Sequence, residues 1–296
     1  MSRLVTIFLI VGALANSARP QERDLERDLT NLNERHKTAH YVLAGTVSDA
    51  KLKDYGQALE FVYREYAKGF GDLLDRPKAN EGDEASERFK VVFVANAAEY
   101  EEFTRAYFGT FAEHTSGLFV PSANLLIILD HPNSKDTYGI LFHEAFHQFV
   151  HRHVRAMPTW LNEGLATYYG SARPRRGSLV FDRPLTGYFR IVQRAVDHRK
   201  LIPLRELMDS TRQAFYDQSP VEGLNASHRS LCYAQSYTLA SYMINDKQGR
   251  THLRGYIRKL SEAKTFEDAR RVTRETFTDK LLKAMVKPWL TQVKRH

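Results

Sequence analysis

The chain has 296 residues, 43% hydrophobic and 26% charged, enough apolar material for one large domain or two lobes, with no repeat and no disordered bias. Its formal net charge of +8 raises nucleic acid as a partner, but acidic residues lie between the basic ones along the chain and no nucleic acid is expected. A single cysteine, Cys232, excludes an internal disulfide and a cysteine-rich structural zinc site.

Arg3 followed by the apolar run Leu4 to Ala15, ending in the small-x-small triplet Ala13-Leu14-Ala15, predicts a signal peptide over residues 1–18. Export to a periplasm or the exterior is then expected, with no membrane span left after cleavage; the competing reading is an anchor that is never cleaved. A charged lead-in covers 19–39. His40 to Gly45 reads as a strand, and Asp49 to Phe70 has helical spacing, with Leu59, Val62, Tyr63 and Tyr66 on one stripe. Arg76 to Glu87 reads as a loop. Phe89 to Val94 is a strand, Ala97 to Tyr107 a helix, and Ser116 to Val120 with Leu125 to Leu129 a hairpin. From Thr137 onward helices dominate: about Tyr138 to Arg152, Pro158 to Tyr169, Thr186 to Asp197, Arg229 to Ile244, Arg250 to Leu260 and a helical C-terminal segment. The expected fold class is therefore α+β, with an α/β part over 40–135 and a helical part over 136–296. The basic cluster Arg173-Pro174-Arg175-Arg176 reads as a solvated loop.

The chemistry concentrates in His143-Glu144-Ala145-Phe146-His147. Histidines four apart on a helix share one face, so both imidazoles reach one metal ion, and Zn²⁺ suits them. Glu144 is placed to act on a water rather than on the metal. Leu141, Phe142, Phe146, Phe149 and Val150 predict a buried helix, where two histidines and a carboxylate are costly unless paired or metal-bound. An open catalytic site needs a third protein ligand. Glu163, in Trp160-Leu161-Asn162-Glu163-Gly164-Leu165-Ala166, is one candidate. His153 is the other, but the pattern that uses a third histidine needs a helix-breaking glycine where Val150 stands, so Glu163 is favoured. His151 and His153 are then expected to be exposed at the helix end, where positive charge suits the dipole.

The two motifs together resemble the gluzincins, zinc peptidases with His-Glu-x-x-His on one helix and a glutamate ligand on the next. More closely, they resemble a bacterial peptidase-MA-like family long catalogued as a domain of unknown function. The resemblance runs from about His40 to Leu290 and implies a zincin-like, two-lobed catalytic domain. It would have a small mixed sheet in the N-terminal lobe and a mainly helical C-terminal lobe. It implies one zinc ion held by His143, His147 and Glu163, Glu144 as general base, and a peptide or protein substrate. It also implies that the strand before the metal helix, Leu125 to Leu129, borders the cleft. Tyr233-Ala234-Gln235-Ser236 is similar to the stretch that supplies an oxyanion-binding tyrosine in the aminopeptidase branch, making Tyr233 the expected donor, with Tyr237 and His228 as alternatives. Thr167 stands where thermolysin-like relatives carry an acid that orients a ligand histidine, and the motif that anchors a substrate amino terminus is absent. A non-catalytic module that keeps the metal, or an amidase acting on cell-wall peptides, are the competing functions.

Overall fold

A computed structural model describes residues 36–74, 88–108 and 115–296. The expected signal peptide, most of the charged lead-in and the loop expected over 76–87 lie outside the described residues. Among those described, no helix is long and apolar enough to cross a membrane. The chain is mixed α+β with a helical majority and a small mixed sheet. It divides into two compact units.

The first unit takes residues up to 66, 82–149 and 172–180. Its strands are β1 (His36–Lys37), β2 (Tyr41–Gly45), β3 (Phe89–Val94), β4 (Gly117–Val120) and β5 (Leu125–Leu129), in the order β1-β2-β3-β5-β4. The sequence β2, β3, β5 is parallel, and β1 and β4 run antiparallel to their neighbours. Helix α1 (Asp49–Leu74) links β2 to β3, and α2 (Ala97–Phe108) follows β3. Strands buried on both faces need continuous apolar runs, as in Phe-Lys-Val-Val-Phe-Val and Leu-Leu-Ile-Ile-Leu. One face packs Val92, Val94, Leu118, Val120, Leu125 and Ile127 with Tyr100 of α2. On the other, Phe93 stacks on Tyr55 of α1, with ring centroids 4.5 Å apart. Where β5 ends, the buried Asp130 accepts hydrogen bonds from Lys51 and Tyr55, tying α1 to the sheet.

Leu125–Leu129, expected to border the cleft, is paired on both sides and has no free margin there. β5 is internal, and β4 is the marginal strand among the described residues. The cause is the hairpin: a 3-10 turn over Pro121–Ala123, ended by Asn124 at φ 46°, returns the chain on the side of β4 that faces β3, so β5 lies between the two. Leu129 N–H donates to Ser116 C=O, so in this ladder Leu118 and Val120 bond towards β5. By alternation, Gly117 and Phe119 turn their backbone groups to the outer margin.

Helix α3 (Ser134–His153) follows β5. Ile140, Leu141, Phe142, Ala145, Phe146 and Phe149 are all buried. Two polar contacts set its place: Tyr66 of α1 donates to Phe142 C=O at 2.6 Å, and Gln148 donates to Asn124 C=O at 2.8 Å and Lys90 C=O at 3.2 Å. The cluster expected as a solvated loop instead forms a two-stranded ribbon, β6 (Arg173–Arg175) with β7 (Ser178–Val180). Arg176 and Gly177 turn it at φ 48° and 80°, the positive dihedrals that tight hairpins use.

The second unit takes residues 67–81, 150–171 and 181–296. Its helices are α4 (Thr159–Gly170), α5 (Thr186–Asp197), α6 (Leu204–Asp209), α7 (Arg212–Phe215), α8 (His228–Asn245), α9 (Lys247–Leu260), α10 (Phe266–Thr276) and α11 (Asp279–Val293). α8 is the central helix, with Leu231 to Met243 buried without interruption. α4 presses closely on it: a Cβ at Gly164 would lie 2.6 Å from Ser236 C=O. Trp289 of α11 donates to Thr238 of α8 at 3.2 Å. The Gln235 amide both donates to and accepts from the Ile202 backbone, each at 2.9 Å, pinning the α5–α6 connection.

Candidate metal centre

His143 and His147 sit one turn apart on α3, their ring centroids 4.8 Å apart. Glu163 lies in the second turn of α4, whose start follows from Pro158, a residue that cannot continue a helix N-terminally but suits its first turn. One ligand atom from each of His143, His147 and Glu163 lies within 4.8 Å of the others, and the three are at most 2% exposed. Two imidazoles and a carboxylate, buried and converging, form a set that can hold a divalent metal ion. Among the described residues no other group of this kind occurs.

His153, the rival ligand, is not in the group. It is also not exposed: at 8% it is buried, and the half-buried His151 has its pKa lowered by burial. The expectation of a solvated, positively charged helix end is thus corrected, because burial penalises the imidazolium more than the helix terminus favours it.

Glu144 is fully buried. Gly117 of β4 makes room for it: a Cβ there would lie 2.9 Å from Glu144 Cγ and 2.5 Å from Ile140 Cγ2. The margin strand of the sheet therefore passes directly against the residue next to the first histidine.

Glu163 is held within its own unit by phenols. The Tyr216 hydroxyl donates to Glu163 Oε1 at 2.8 Å. Tyr216 follows the short α7, which Thr211 caps through Ala214 N–H, and the Arg212 guanidinium lies 5.5 Å from the Tyr216 ring centroid. Burial and then the nearby Glu163 carboxylate push Tyr216 and Tyr233 well above the usual tyrosine range, and Tyr188 up to about 12. All three therefore stay neutral donors. Tyr233 is an interior residue of α8, not its first turn, and its ring lies 6.2 Å from that of Tyr216.

Both alternatives to Tyr233 have contacts of their own. The Tyr237 hydroxyl accepts from Leu185 N–H at 3.0 Å, and His228 Nδ1 lies 3.5 Å from Cys232 Sγ. The Thr167 hydroxyl, considered as support for a ligand histidine, makes no hydrogen bond among the described residues. Sequence reading missed Tyr216 and Gln148. Gln148 had a visible signal, a polar side chain next to His147 inside an apolar run. Tyr216 had none, standing 53 residues from Glu163 in an irregular segment.

A family model described as "Protein of unknown function (DUF1570)" matches residues 138–267, a stretch that contains His143, His147, Glu163, Tyr216 and Tyr233. No curated protein matches the chain.

Proposed function

We propose that the chain is a gluzincin-type, zincin-like hydrolase that cleaves peptide bonds with one zinc ion. The carrying observation is the convergence of His143, His147 and Glu163 within 4.8 Å. Zinc fits this donor set, and three protein ligands leave a fourth position open. When bound, the ion would polarise a carbonyl and ease loss of a proton from water.

The other tasks fall to the chain. Glu144, adjacent to His143, takes the proton from the attacking water and returns it to the leaving amine. Tyr233, a neutral phenol beside Glu163, donates to the oxyanion as it develops. An extended peptide adds to the outer margin of β4, bonding to the Gly117 and Phe119 backbone and running past Glu144. The close fit of Gly117 over Glu144 supports this use of β4. The resemblance to peptidases supports the peptide substrate, and the apolar N-terminus supports export to a periplasm or the exterior.

The test compares wild type with Glu144→Gln on a diverse peptide library, cleavage read by mass spectrometry and metal content by emission spectroscopy. The variant should keep its metal and lose cleavage by about 10²–10⁴-fold. A zinc-loaded wild type that cleaves no peptide would instead identify a non-catalytic module. Cleavage of cell-wall fragments alone would make it an amidase.

A further inference from the structure

The excess positive charge is not evenly shared. Residues 150–296 hold 27 Lys and Arg against 13 Asp and Glu, whereas residues 1–149 hold 16 against 22. Helix α9 carries five Lys and Arg and no acidic residue. Lys247, Arg250, Arg254 and Arg258 recur at spacings of three and four, so they line one exposed flank of the helix. Gly249, Leu253, Tyr256, Ile257 and Leu260 face the core. Among the described residues none of the four cations makes an ion pair; Arg254 donates to Lys68 C=O.

A second observation lies where α9 ends. A tight turn, with Ser261 N–H donating to Ile257 C=O and Ala263 N–H to Leu260 C=O, leads through Lys264 into α10. Thr265 and Asp268 close a capping box that fixes Phe266 as the first helical residue. Phe266 is 71% exposed; the other exposed large apolar side chain among the described residues, Leu185, reaches 37%. The cap thus holds an apolar ring in water six residues after the end of α9, whose last turn carries Arg258 and Lys259. Of the nearby acids, Glu267 lies 3.9 Å from Arg270 and Asp268 lies 3.0 Å from Arg271, which offsets them; Glu262, on the turn, is exposed.

We propose that the cationic flank of α9 and Phe266 form a docking surface for an anionic phospholipid membrane. Cations on such a flank are drawn to acidic headgroups, and long Lys and Arg stems reach them from an apolar boundary. A lone phenylalanine gains free energy by leaving water for the region between headgroups and acyl chains. A DNA duplex would use the cations, but its bases stay stacked on one another and give the ring no apolar region to enter, which favours the membrane.

The test is sedimentation of the full chain with phosphatidylcholine vesicles, with and without phosphatidylglycerol. Binding should require phosphatidylglycerol and weaken as salt rises. Arg250→Gln and Arg258→Gln should each weaken it about fivefold, and Phe266→Ala about tenfold. Circular dichroism should be unchanged, since all three side chains are exposed. Because Trp160 and Trp289 are fully buried, Phe266→Trp adds an exposed reporter whose emission should shift blue on phosphatidylglycerol vesicles. Equal binding to neutral vesicles, binding untouched by these substitutions, or an unshifted reporter would each overturn the proposal. So would a DNA duplex bound through the same arginines by a protein that ignores vesicles.

Discussion

At the scale of single residues, the centre depends on how one carboxylate is held. Tyr216 donates to Glu163 Oε1 and so helps set the direction of the carboxylate. Partners of this kind orient a ligand and are worth about 10–100-fold in metal affinity. Tyr216→Phe keeps the ring and removes only the donor, so zinc affinity should fall by about that factor in a chelator competition assay. Unchanged affinity would mean the hydrogen bond is incidental. Glu163→Ala should abolish tight binding in the same assay, while His153→Ala should leave it unaltered; the reverse pattern would return the third ligand to His153. His143 and His147 were legible in the sequence, because their spacing on a helix is chemistry that needs no tertiary knowledge, and Glu163 was favoured over His153 because Val150 stands where a helix-breaking glycine would be needed. Tyr216 was not, because nothing local marks a residue in an irregular segment as the partner of a carboxylate 53 positions away.

At the scale of elements, a glycine sets how closely α4 packs on α8. Gly164 follows Glu163 and brings α4 against the α8 backbone, where a Cβ would stand 2.6 Å from Ser236 C=O. Alanine is the better helix former by about 1 kcal/mol, so an isolated helix would gain from Gly164→Ala. Overpacking here costs about 1–3 kcal/mol, and denaturant unfolding should show a net loss. A stabilised variant would mean the two helices separate freely. Element types and most boundaries followed from hydrophobic period: the strand at Phe89–Val94 and the helix at Thr186–Asp197 fall where the pattern predicts them. Strand order did not follow, since adjacent apolar strands carry no mark of which is internal. The ribbon at Arg173–Val180 was hidden by its charge, although Arg176-Gly177 was a turn signal.

At the scale of the whole molecule, stability should respond to metal and not to reductant. A ligand that binds only the folded chain adds about 4 kcal/mol at a thousandfold excess over its Kd. EDTA should therefore lower the Tm of wild type and leave that of Glu163→Ala where it is, as read by calorimetry. The lone Cys232 is buried, and burial with nearby Glu206 and Asp217 pushes its thiol up to about 12. Reductant should leave the Tm unchanged, and iodoacetamide should label Cys232 slowly until the chain unfolds.

What the sequence by itself determined is the α+β class, the metal-type spacing of His143 and His147, and Glu163 as their partner on the next helix. The metal set is a short-range pattern, written within about twenty residues of chain, and the class follows from the order of locally patterned elements. Only the tertiary structure decided that β4 rather than β5 is the margin, that Gly117 leaves space over Glu144, and that Tyr216 grips Glu163. It also decided that His153 is buried, that Lys247, Arg250, Arg254 and Arg258 of α9 are exposed, and that Phe266 is exposed. These depend on which distant segments pack together, and packing is a property of the folded chain as a whole.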